Sequence, residues 1–164
     1  MRSRASAIVA IGCGALAGTA AWAAESWTRS TQANGAVFYA CASDGCGRGA
    51  TISCRVMPPD TVTSSGAFAA RIAKQVADLA AVGRDIVARP VTQEAMGERV
   101  LHRTALFYRG TVPAFETGFL VGPGESFAVI STASDAKTMT RNFDRFVARL
   151  ASRPVGIAAA ECPP

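Results

Sequence analysis

Few residues of this chain carry side chains suited to chemistry. It has one histidine, His102, and five cysteines. His102 lies among Val100, Leu106 and Tyr108, the setting of a strand histidine. Beside a carboxylate or hydroxyl it would be the chain's one acid–base centre. A serine hydrolase would also need a serine on a sharp elbow, and no G-x-S-x-G occurs. Gly124-Glu125-Ser126 lacks the closing glycine and reads as a hairpin turn. The 12 acidic residues are scattered singly, so no carboxylate pair for glycoside hydrolysis is legible. No residue is assigned a catalytic role.

The cysteines point to oxidation rather than to metal. Cys41, Cys46, Cys54 and Cys162 remain once Cys13 is set aside with an N-terminal leader. An even number in an exported chain reads as two disulfides. Cys41 and Cys46 flank the turn-rich Ala42-Ser43-Asp44-Gly45, so the preferred pairing is Cys41 with Cys46 and Cys54 with Cys162. Spacing alone does not exclude the other two connectivities. A zinc site would want paired short spacing and a nearby histidine. A redox pair would want C-x-x-C. Neither pattern is present, and no metal or other cofactor is expected.

Two features suit a binding surface. Gly45-Cys46-Gly47-Arg48-Gly49 is glycine-rich, but it lacks the Lys-Ser/Thr ending of a phosphate loop. It reads as a disulfide-pinned loop exposing backbone and one cation, Arg48. Further on, Lys137, Arg141, Arg145 and Arg149 recur at every fourth position. On a helix that spacing makes one cationic ridge. These five residues are the candidate partner-binding positions.

The elements that must position them follow from periodicity. Residues 36–41 and 50–56 read as a strand hairpin around the glycine loop, stopped by Pro58-Pro59. Phe68, Ile72, Val76 and Leu79 draw an apolar stripe on a helix capped by Ser64 or Ser65 and closed at Gly83. Residues 85–91 read as a short edge strand and 92–98 as a polar connector. Residues 99–109 form the longest strand, with neither face purely apolar. Residues 115–121 and 126–132 form a second hairpin. Met139, Phe143, Phe146, Val147 and Leu150 make the inner face of a last helix, opened by Ser134-Asp135. The expected fold is α+β. Its two layers are an antiparallel sheet of about five to six strands and two amphipathic helices packed on it, with an N-terminal disulfide-pinned hairpin. In element order alone, over roughly the last two-thirds of the chain, this resembles the small α/β/α sandwiches of PsbP-like proteins; such a resemblance carries no function.

Met1-Arg2-Ser3-Arg4, an uncharged run over Ala5–Ala20 and the A-x-A of Ala21-Trp22-Ala23 describe a secretory signal peptide. The expected division is residues 1–23 as signal and 24–164 as one exported domain. A retained membrane anchor or acylation at Cys13 would be the alternatives. Removing the leader takes Arg2 and Arg4 and lowers the net charge from +5 to +3. That is too little, and too unclustered, for nucleic acid. The near-exclusive use of Arg over Lys, with abundant Ala and Gly, points to a GC-rich bacterium, and the leader to its periplasm or beyond. The expected function is that of a small exported, non-catalytic protein that binds another envelope protein. The alternative is a binder of a small ligand or envelope component, with a pocket between helix and sheet.

Overall fold

A computed structural model describes residues 26–154, apart from 59 and 63, together with Cys162. The expected leader, residues 1–23, lies outside the described residues. Eight strands and two helices follow in order: β1 (Trp27–Thr31), β2 (Val37–Cys41), β3 (Thr51–Met57), α1 (Ser65–Ala81), β4 (Ile86–Ala88), β5 (Thr92–Met96), β6 (Arg99–Tyr108), β7 (Val112–Gly122), β8 (Glu125–Thr132) and α2 (Ala136–Ala151). All strands join one sheet in the order β1-β2-β3-β8-β7-β6-β4. β5 also pairs with β6, opposite its first half, while β4 pairs with its second half. Every pairing is antiparallel.

The sheet has eight strands, not the five or six expected. The polar connector is β5, joined to β6 through Gly97-Glu98 with Gly97 at φ +65°. β1 also emerges from a segment with no strand pattern. Both are edge strands with nearly every side chain in water, so nothing selects an alternating apolar face. β7 begins at Val112, three residues before the strand expected from 115.

The expected two layers are three, because the helices lie on opposite faces. Successive residues of a strand point to opposite sides. In β7, Leu120 packs with Phe143, Phe146 and Leu150 of α2, whereas Phe119 packs with Phe68 and Ile72 of α1. Both faces of β6 are therefore partly covered, and each carries apolar residues, Leu101 on one and Leu106 on the other. α2 lies across the middle of the sheet, against Tyr39, Ile52, Phe127 and Val129. Gly118 of β7 lets it approach, since a Cβ there would lie 2.8 Å from Phe143 Cζ and 2.9 Å from the His102 carbonyl oxygen. α1 covers the β4–β6–β7 side of the other face, and its cluster reaches Ala128 of β8 and Met57 of β3. On that same face, Phe38 and Arg55 of β2 and β3 stay exposed.

The helix ends carry the expected signals. The Ser64 hydroxyl accepts from the Ala67 N–H and caps α1. Gly83, at φ +77°, closes it, with Arg84 N–H donating to the Leu79 carbonyl. α2 is capped by Asp135 rather than Ser134. Its carboxylate accepts from Thr138 N–H at 2.8 Å, and that bond holds the carboxyl below its ordinary range.

The disulfides pair as preferred, Cys41 with Cys46 and Cys54 with Cys162. The first pins the loop of the β2–β3 hairpin. The second ties the C-terminal tail under the centre of the sheet, where Cys54 is fully buried. No described helix is long and apolar enough to cross a membrane. Both observations are compatible with an exported protein.

Candidate functional site

The disulfide loop and the cationic helix come together. The Cys46 carbonyl accepts from the Asn142 amide at 2.8 Å, and the Gly45 carbonyl accepts from the Arg141 guanidinium at 3.0 Å. Gly47, at φ +81°, lies so close that a Cβ would sit 2.6 Å from Thr138 Cγ2. The loop is also closed on itself, by Gly49 N–H to the Cys41 carbonyl and Ala50 N–H to the Gly47 carbonyl. A loop held at both ends and docked on a helix presents a fixed shape rather than an ensemble.

The five candidate residues play different parts there. Arg48 is exposed in the loop and pairs with Asp44. Arg141 is a strut between helix and loop, a role that spacing alone did not distinguish. Lys137, Arg145 and Arg149 are exposed on α2, with Arg149 at the far end, near the Tyr39 phenol. Burial raises the Tyr39 pKa, partly offset by a hydrogen bond from Arg29 and by nearby Arg149 and Arg153.

Asp144 is drawn away from this ridge to the helix's other flank. Arg103 reaches it at 2.6 Å, binds Glu116 through Nε at 2.9 Å and through its NH2 nitrogen, and lies 4.9 Å over the Phe143 ring. Thr140 completes the network by donating to Glu116. Burial works against the Arg103 charge, but Glu116 and Asp144 outweigh it and raise the pKa. The outer face of α2 is thereby left predominantly cationic.

A second site forms where α1 begins. A cleft of about 490 Å³ is bounded by Ser65, Gln93 and His102, with Val62, Val100 and Val121 as apolar walls. Three elements supply its polar groups. Ser65 Oγ lies 2.5 Å from Gln93 Oε1 and 3.3 Å from His102 Nδ1. The ring of Phe68 lies 6.3 Å from the imidazole, centroid to centroid. His102 thus has the neighbouring hydroxyl that the sequence left open. No described carboxylate bonds to it, so a Ser-His-Asp arrangement is not built here.

No protein family matches this chain, and no curated protein matches it. The sites are therefore read from their own chemistry. Among the described residues no cluster of three or more His, Cys, Asp or Glu could hold a metal ion.

Burial lowers the His102 pKa. The unfolded chain therefore takes up a proton at a higher pH than the folded one. Stability is expected to be fully present above about pH 6.5 and to be lost as pH falls through the lower folded value. His102→Phe should flatten this part of the profile, since no other histidine contributes. Urea midpoints measured between about pH 8 and pH 5 test it; an unchanged slope in the variant would show that His102 is not the group responsible.

Proposed function

We propose that this chain is a small exported, non-catalytic protein that binds another envelope protein. The binding face is the Cys41–Cys46 loop with the outer side of α2. One observation carries the reading: the loop is locked onto the helix by Asn142 and Arg141, so Arg48, Lys137 and Arg145 share one preorganised cationic surface. Arginine is favoured in protein interfaces, and a rigid patch loses little entropy on docking. The partner it suits is an acidic protein surface rather than nucleic acid, and the signal-like leader supports an encounter in the periplasm or outside the cell.

A photo-crosslinking residue at Lys137 should capture one protein from cells expressing the chain. With the crosslinker kept at 137, reversing Arg48 and Arg145 to Glu should reduce the yield about tenfold or more, since like charges brought together cost several kcal/mol. Lys74→Glu, on α1, should leave it unchanged. Equal capture by the double variant overturns the reading.

A second reading, a binder of a small ligand or envelope component, is supported by the cleft at the start of α1.

A further inference from the structure

The cleft at the start of α1 has a chemistry that selects among ligands, independently of the partner-binding face. Gln93 Oε1 can only accept a hydrogen bond. Ser65 Oγ, 2.5 Å away, therefore donates its proton there. The same oxygen then accepts from His102, so the histidine proton sits on Nδ1. This leaves His102 Nε2 with a lone pair. Nε2 has no partner among the described residues, yet it is not sealed off in the way Ser126 Oγ is. His102 is 4% exposed and lines the cleft. A nearly buried acceptor without a partner is a place for a donor.

The head of α1, Ser64 to Gly66, lines the same cleft. At the head of α1, Ala67 N–H is taken by the Ser64 hydroxyl and Phe68 N–H by the Ser64 carbonyl. The N–H groups of Ser65 and Gly66 have no partner among the described residues. No charged side chain lines the cleft. A carboxylate would set its lone pairs against that of Nε2. An ammonium would face the positive end of α1 and two N–H donors. A hydroxyl does both jobs, donating to Nε2 and accepting from an N–H.

We infer that this cleft binds a neutral, hydroxyl-bearing unit, a sugar ring or polyol, with one hydroxyl donating to His102 Nε2 and accepting from the N-terminus of α1. The valine walls would cover the C–H face of the ring. The volume lies within the range of small-molecule sites. The unit comes from a free sugar or from the end of an envelope glycan.

Amide and imidazole ¹⁵N spectra of the purified protein test this. The probes are glucose, N-acetylglucosamine, a short neutral N-acetylglucosamine oligosaccharide, and acetate and methylammonium as charged controls. A neutral sugar should shift Ser65, Gly66, the Gln93 side-chain amide and His102 Nε2 together and saturably. The charged controls should not. Tighter binding of the oligosaccharide would assign the source to glycan, and equal binding to free sugar. His102→Phe keeps a ring against Phe68 and removes the acceptor, and should weaken the sugar about tenfold. Ser65→Ala, which frees Nδ1 from its hydroxyl partner, is the second variant should the first fail to fold. Absence of shifts with all three carbohydrates, acetate binding as well as glucose, or full affinity in a folded His102→Phe or Ser65→Ala variant would overturn the inference. None of these outcomes bears on capture at Lys137.

Discussion

Replacing Cys54 and Cys162 together by alanine is expected to cost about 4–5 kcal/mol of stability. The bridge closes a loop of sequence separation 108, and in the chain-entropy model a loop of that size is worth about that much. Total stabilities of single domains run from about 5 to 15 kcal/mol, so this change alone brings the protein close to unfolding. Both sulfurs are also buried against the α2 core, and their removal leaves a gap there. The comparison that isolates loop length is the other bridge. Cys41 and Cys46 are separated by 5 residues, and the same model gives their closure about 2 kcal/mol. In urea denaturation without reductant, the Cys54/Cys162 double variant should show a markedly lower midpoint and a larger m-value, because its unfolded chain expands further. A loss no greater than that of the Cys41/Cys46 double variant would reject the ranking.

The second large effect is expected at Arg99. Its side chain is 3% exposed and that of its partner Glu125 11%. Nε and one terminal nitrogen bind the Glu125 carboxylate, and the other terminal nitrogen donates to the carbonyls of Ala151 and Arg153, at 2.9 and 2.7 Å. One guanidinium therefore ties the first residue of β6 to the β7–β8 turn and satisfies the open end of α2. Gly122 makes room, since a Cβ there would lie 2.9 Å from Arg99 Cγ. Arg99→Met leaves a buried carboxylate and two carbonyls without a donor, and should cost about 3–5 kcal/mol. Arg99→Lys should recover only part, because an ammonium cannot reproduce the planar fork. Arg99→Met combined with Glu125→Leu should cost less than Arg99→Met alone, since no charge is then stranded. Equilibrium unfolding of the three variants decides it; an Arg99→Met cost within about 1 kcal/mol would mean that water reaches Glu125 and replaces the donor.

What could be read from the chain tracks burial. β3 and α2 were legible because each buries one side against the sheet core, and burial writes period 2 or period 3.6 into the residues. β1 and β5 bury almost nothing and were invisible. The placement of the helices on opposite faces was illegible for a related reason. An amphipathic stripe says that a helix packs, not on which side of the sheet, and only the partition of Phe119 from Leu120 distinguishes the two. The cysteine pairing followed from a local turn and from elimination. The basic ridge was visible at its four-residue steps, but Arg141's bond to Gly45, 96 positions away, was not. The same holds for the cleft. His102 stood out as the lone histidine, whereas Ser65 looked like a cap residue and Gln93 like a connector. Only the pairing of β5 with β6 places Gln93 directly opposite His102.

The two rims of the sheet bear on self-association. A long flat edge strand offers a row of free backbone groups on which another chain can build. Here one rim is β1, five residues long, and the other is divided between β4 and β5, three and five residues long. Pro90 lies between them, with a fixed φ and no N–H to offer. It keeps the two short strands from merging into one rim running from Ile86 to Met96. Among the described residues the sheet thus ends on both sides in short stretches, which offer little length for an extended intermolecular ladder.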